Sequence, residues 1–197
     1  IKSKEEMKRT DIINHLIGKN GYKKYLEIGV RNPDENLNKI KVEYKDGVDP
    51  AGNCNFPMTS DDFFEQLDES FKYDIIFIDG LHLDYQVERD ITNSLKHLSE
   101  GGTIVMHDCS PIKEEHQVEE YVVGKTWNGT TWKAYAKFRM NNTDISMCVV
   151  NTDHGVGIIQ KGTQELYPKV ESLTYQLLDS NREKLLNLIS VEKFLTL

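Results

Sequence analysis

The chain has 197 residues, of which 28% are charged, and a formal net charge of -8. That sign argues against nonspecific binding to nucleic acid or to an anionic membrane face, and the short apolar runs exclude a bilayer-spanning helix. At this length roughly 70% of the unfolded chain's surface can be buried, so a single domain over residues 1–197 with a sizeable core is expected.

Cys54, Cys109 and Cys148 have no paired spacing. This excludes a CxxC zinc site and suits a reducing compartment. With no signal-peptide pattern, the expected location is cytoplasmic.

Met7, Ile12, Ile13, Leu16 and Ile17 recur at helical spacing and predict a leading helix over residues 3–18, closed by Lys19-Asn20-Gly21. Lys24 to Val30 reads as the first strand. Arg31-Asn32-Pro33 then turns into a short helix with Pro33 and Asp34 in its first turn. Asp46 to Pro50 is a short second strand ending in Asp49. Thr59 or Ser60 caps a helix through Leu67 whose first turn carries Asp61 and Asp62.

Ile75 to Ile78 are consecutive apolar residues of strand type, expected to be buried on both faces, and they run into Asp79, Gly80 and His82. An acid at the carboxyl end of a buried parallel strand lies where open α/β sheets bind ligands. Val87, Ile91, Leu95 and Leu98 stripe a helix over about 84–98, which Gly101-Gly102 is expected to stop. Thr103 to Asp108 is another buried strand ending in an acid.

The segment 109–128 is polar and reads as a long loop over the strand ends, of the kind that is often functional. A helix over 131–139 follows, then two strands within 145–160 short enough for an antiparallel hairpin, then a terminal helix over 170–197 with a break near Ser190. The alternation implies an α/β fold, a mostly parallel sheet with an antiparallel edge hairpin and helices on both faces.

Tyr25-Leu26-Glu27-Ile28-Gly29-Val30, Gly47-Val48-Asp49-Pro50, Asp74 to His82 and Gly101 to Asp108 resemble, in order, four motifs of class I S-adenosylmethionine-dependent methyltransferases. The wording FIDGLH and MHDC is similar to that of small methyltransferase domains among bacterial and viral polysaccharide-assembly proteins. The resemblance implies a Rossmann-like sheet and O-methylation of a sugar or glycan hydroxyl. It also implies S-adenosylmethionine as cofactor and glycosyltransferases as fused domains or partners. Nucleic acid is not an expected partner.

The cofactor-binding residues it implies are Glu27, Gly29, Arg31, Asn32, Asp49, Pro50, Ser60, Asp79 and Gly80, with Ser60 and Asp61 meeting the adenine. One departure is that the family's glycine-rich turn has here a single glycine, Gly29.

If Asp79 and Asp108 end neighbouring strands about 4.8 Å apart, their carboxylates resist joint ionisation without a cation. Similarity to metal-dependent O-methyltransferases implies that these two acids hold magnesium or manganese, with His82 as the general base. His107 is the rival base. The oxygen ligand such enzymes carry beside the second acid has no counterpart here, since His107 and Cys109 flank Asp108. Trp127 and Trp132 divide between core packing and stacking on a sugar ring. His15, His97 and His154 read as surface or capping residues. A noncatalytic scaffold domain and a nicotinamide-dependent oxidoreductase are the alternatives, the second weakened by the absence of GxGxxG.

Overall fold

The computed structural model describes residues 7–197, so the predicted start of the leading helix at residues 3–6 lies outside the described residues. The helix that is described, α1, runs over Arg9–Asn20. It buries Ile12, Ile13, Leu16 and Ile17 and ends at Gly21, whose φ of 66° is the left-handed turn that a glycine makes without a Cβ penalty. Met7 precedes it.

Strands β1 (Lys24–Ile28), β2 (Tyr44–Val48), β3 (Tyr73–Ile78) and β4 (Leu98–Met106) are parallel neighbours in the order β2-β1-β3-β4. The hairpin of β5 (Ile145–Val150) and β6 (Val156–Lys161) adds to β4 through β6, which runs antiparallel to it. A two-residue strand, β7 (Leu188–Ile189), completes the seven-stranded sheet beside β5. The chain leaves β1 toward β2 and returns on the other side to β3. Strand order therefore reverses at β1 and opens a crevice at the carboxyl ends of β1 and β3.

Alternation along the strands divides the core between the two faces. Leu26, Ile28, Ile76, Ile78, Ile104 and Met106 belong to one cluster, which also holds residues of α2 (Ser60–Gln66), α3 (Asp84–Lys96), α4 (Thr131–Asn141) and α5 (Tyr175–Leu186). Tyr25, Ile75, Phe77 and Val105 belong to the other, under α1 and α6 (Val191–Phe194). The same alternation sends Glu27, Asp79 and His107 toward the α1 face.

Three predicted elements need correction. The turn after Arg31 leads to a 3-10 turn at Leu37–Lys39 and not to an α-helix. Gly101-Gly102 does not follow a helix but lies inside β4, where the register against β3 shifts and Gly101 takes a φ of 71°. The terminal helix is three pieces: α5 begins at Tyr175, Asn187 ends it in the left-handed conformation, and after β7 Ser190 caps α6 by accepting from the Lys193 N–H. His97, expected at the surface or as a cap, is the C-cap residue of α3, and it is buried with its Nδ1 2.9 Å from the Phe71 carbonyl. The hairpin, α2 with its Thr59 cap, and α4 fall where the pattern puts them. Among the described residues no helix is long and apolar enough to cross a membrane.

Candidate active site

At the reversal point β1 and β3 end in contact. A Cβ on Gly29 would lie 2.1 Å from the Asp79 carbonyl oxygen, and Gly29 has a φ of 86°, so no other residue fits there. The next left-handed residue is Arg31, with a φ of 53°, in the turn where the family would place a further glycine. Asp49, at the end of β2, holds that conformation by accepting the Arg31 N–H at 2.7 Å, while its other oxygen accepts the Ala51 N–H at 2.8 Å. A carboxylate has about four acceptor sites, so each Asp49 oxygen keeps a lone pair for a ribose hydroxyl. Asn32 and Pro50 are exposed at the rim, and the Arg31 side chain turns outward to Glu35.

Glu27 is buried beneath this crevice. It accepts from the Tyr25 hydroxyl and from Asn36 Nδ2. Burial pushes its carboxyl up to about 7, against the pull of those two hydrogen bonds. It supports the floor and is not open to a ligand.

Asp79 and Asp108 do end neighbouring strands, and two histidines join them. His82 Nε2 lies 3.2 Å from Asp79 Oδ1, and its Nδ1 lies 3.3 Å from Asp108 Oδ2, out of line for a hydrogen bond. His107 Nδ1 lies 3.1 Å from Asp108 Oδ2 and 3.5 Å from Asp79 Oδ1. Asp108 has a φ of 63°, a strained value for a side chain with a Cβ that directs its carboxylate back over the strand end.

Two further residues, Arg9 and Asp153, belong to the cluster although nothing in their local sequence marks them. Arg9 Nη1 reaches Asp79 Oδ2 at 3.2 Å, and its Nε donates to Asp153 Oδ2 at 2.9 Å. Asp153 lies in the β5–β6 turn at a φ of 45° and comes within 3.4 Å of His107 Nε2.

The charges follow from the packing. Burial works to raise Asp79, but His107 and then His82 outweigh it and hold the carboxyl below the usual range. Asp153 is likewise lowered by His107 and Arg9 against burial. Burial disfavours a charged His107, yet Asp79, Asp108 and Asp153 raise it well above the ordinary imidazole value, and Asp79 with Asp108 raises His82 in the same way. These carboxylates favour a protonated His107, which at 5% side-chain exposure against 19% for His82 is the less accessible of the two candidate bases. It supplies the positive charge that two adjacent carboxylates require.

Whether a metal also fits is decided by the donor set. Ligand atoms of Asp79, His82 and Asp108 lie within 4.8 Å of one another. One of the three is a nitrogen, and the other oxygens of the two acids are taken, Asp79 Oδ2 by Arg9 and Asp108 Oδ1 by Asn128 Nδ2 at 2.6 Å. Magnesium favours a nearly all-oxygen octahedron. The set offers it two carboxylate oxygens, Asp79 Oδ1 and Asp108 Oδ2, beside a nitrogen that suits manganese better.

The segment between β4 and α4 covers this centre. Trp127 stacks on the His82 ring, with centroids 4.8 Å apart and planes 20° apart, and Tyr121 meets Trp127 edge-on. A Cβ on Gly129 would fall 2.0 Å from the His82 carbonyl oxygen, which also accepts the Thr130 N–H at 2.8 Å. Trp132, in contrast, is fully buried core. Arg182 ties the start of the segment to α5 through Ser110 Oγ and the Pro111 carbonyl. Ser60, expected at the adenine, donates instead to Asp90 at 2.6 Å, and Asp61 accepts from Gln86 and Arg89.

A four-stranded parallel half reversing at β1, an antiparallel strand beyond it, and ligand-ready groups at the strand ends define the class I methyltransferase fold. Residues 20–109 match a family model described as a methyltransferase domain. A Klebsiella pneumoniae protein assigned as an O-methyltransferase has the same fold, with a TM-score of 0.56 and 11% identity over 80% of this chain and 82% of that one. A Podospora anserina methyltransferase, solved with S-adenosylhomocysteine, gives a TM-score of 0.50 and 15% identity over 80% of each chain. A search of curated proteins returns no match. By the match over residues 20–109 and by fold, the chain is similar to class I S-adenosylmethionine-dependent methyltransferases.

Proposed function

We propose that the protein transfers a methyl group to a hydroxyl of a sugar or glycan, as one domain over residues 1–197 of a cytoplasmic glycan-assembly system that includes glycosyltransferases. The observation that carries the oxygen-directed chemistry is the placing of His82 between Asp79 and Asp108, beside the Gly29 crevice. When bound, S-adenosylmethionine supplies an activated methyl group and departs as the neutral thioether.

The chain's own residues hold and align the reactants. Gly29 leaves the end of β1 bare for the methionine part, and Asp49 accepts the ribose hydroxyls. Gly80 keeps the turn after β3 close against Ile28, while Arg31, Asn32 and Pro50 line the rim. His82, freed of its proton, accepts the hydroxyl proton at Nδ1, the nitrogen that has no hydrogen-bond partner among the described residues. Asp79 fixes the ring through Nε2. His107 and Arg9 stabilise the acids, and Trp127 offers an aromatic surface against which a sugar can stack. Alignment and the placed base account for the acceleration.

A second reading adds a divalent ion, manganese rather than magnesium, held by Asp79 and Asp108. Two buried atoms beside Asp108 that lack partners among the described residues, His82 Nδ1 and Asn128 Oδ1, favour it. The ion would supply Lewis acidity to the acceptor hydroxyl. Unchanged turnover in excess chelator supports the histidine-neutralised site; loss restored by manganese supports the ion.

Incubation with methyl-labelled S-adenosylmethionine and a panel of free sugars and oligosaccharides tests the function. Label recovered as a methyl ether is the expected result. Label on an amine or a carboxyl group contradicts it. Binding of S-adenosylhomocysteine with no turnover on any acceptor would favour a noncatalytic domain.

A further inference from the structure

Away from the crevice, a groove of about 470 Å³ lies between α4 and residues 169–173, the chain that leads into α5. Lys133, Lys137 and Met140 line one wall, at positions of α4 that share a helix face. Lys169, Glu171 and Leu173 line the other. That second wall is anchored at both ends. Before it, the Tyr167 N–H donates to the Arg139 carbonyl at 2.9 Å, and Arg139 Nη1 donates to Gln164 Oε1 at 2.7 Å and to the Glu165 carbonyl at 3.1 Å. At its far end Leu173 packs against the core.

The charges in the groove are unequal. Lys137 is engaged by α3, its Nζ 3.2 Å from Asp84 Oδ2 and paired also with Glu88. Lys133 and Lys169 make no ion pair among the described residues. Two ammonium groups thus share the groove with one carboxylate, Glu171, in a chain whose net charge is -8. A positive groove on an acidic protein concentrates anions there, and Met140 and Leu173 beside the lysines suit a carbon frame more than a bare ion. The groove also begins close to the reacting centre. Thr130, the N-cap of α4, donates its N–H to the His82 carbonyl at 2.8 Å. At 1.5 Å per residue, Lys133 stands about 4.5 Å along the helix from Thr130 and Met140 about 15 Å. Resting on the reading of a sugar acceptor, we propose that Lys133 and Lys169 hold an acidic residue of an extended glycan, through a uronate carboxylate or a sugar phosphate. Another sugar of the same glycan then presents its hydroxyl to His82.

Calorimetric titration in the presence of S-adenosylhomocysteine tests this with oligosaccharides bearing uronate or sugar phosphate groups, each against the same compound with its acid esterified. In at least one pair the wild-type protein should prefer the charged form by about tenfold, the order expected of two charge-assisted contacts at a partly solvated site, and added salt should narrow the preference. The uronate and phosphate pairs distinguish the two sources of the anion. Lys133→Gln with Lys169→Gln should bring charged and esterified forms to within about twofold while leaving S-adenosylhomocysteine affinity unchanged. Lys169→Gln alone, at an exposed position, should narrow the preference and carries the test if the double variant does not fold. No preference in any pair, or a preference kept in both variants, would overturn the proposal. So would inorganic phosphate binding as tightly as the charged oligosaccharide, which would mean a site for a free anion. Methyl transfer to sugars that ignores their charge and both variants would overturn this inference alone and leave the sugar reading standing. A charged-form preference lost in the variants, with no methyl transfer to any sugar, would instead overturn the sugar reading.

Discussion

At the scale of single residues, the site depends on which carboxylates are free and which are engaged. Asp49 has both oxygens in use yet a lone pair left on each, so the proposed ribose contact is compatible with its hold on the turn. A hydrogen bond to a charged group contributes roughly 1.5–3 kcal/mol. Asp49→Ala should therefore weaken S-adenosylhomocysteine about tenfold to a hundredfold by calorimetry, and unchanged affinity would remove it from the site. His82→Ala should lower the turnover rate by about 10²–10⁴ with cofactor affinity nearly intact, the range of a lost general base. Glu27 gives a pH signature. Its carboxyl stands near 7 in the folded chain against 4.5 when unperturbed, so the stability it contributes is fully present below about 4.5 and is lost as pH rises through 7. Melting temperature should thus fall less between pH 5 and pH 8 in Glu27→Gln than in the wild-type chain. Equal slopes would mean that Glu27 is not held protonated.

At the scale of elements, the segment between β4 and α4 does more than span a gap. Residues 127–130 grip the turn after β3 at three points: Trp127 on the ring of His82, Gly129 and Thr130 at its carbonyl, and Thr130 Oγ1 on the Asp84 N–H that opens α3. Trp127→Ala should leave cofactor affinity unchanged while lowering kcat and raising KM for the sugar acceptor, because it loosens His82 and removes the stacking surface. A change in cofactor affinity alone would place Trp127 elsewhere in function. The strand and helix order was legible because apolar period and cap residues agree along most of the chain. It was not legible where a glycine pair sits inside a strand, as at Gly101-Gly102, since glycine reads as a stop unless the strand's register shift is known. Leu173 fits the helical leucine spacing but precedes α5, because periodicity does not reveal the Thr174 cap.

At the scale of the whole molecule, the site is assembled by the sheet from distant segments. Asp79, His82, Asp108 and Asp49 could be read in advance because each ends a predicted strand or begins the turn after one. Arg9 and Asp153 could not: one opens a surface helix, the other occupies a hairpin turn, and only the folded chain brings Arg9 to Asp79 and Asp153 and Asp153 to His107. Asn128 comes 20 residues after Asp108 and returns to it through the covering segment. Placement of the cofactor is where these scales meet. A crystal structure of the protein with S-adenosylhomocysteine tests it most directly. The ribose hydroxyls should lie within hydrogen-bonding distance of Asp49, with the methionine part over Gly29 and the sulfur facing Asp79 and His82. Density for the nucleoside away from Asp49, or a sulfur turned from His82, would contradict the account.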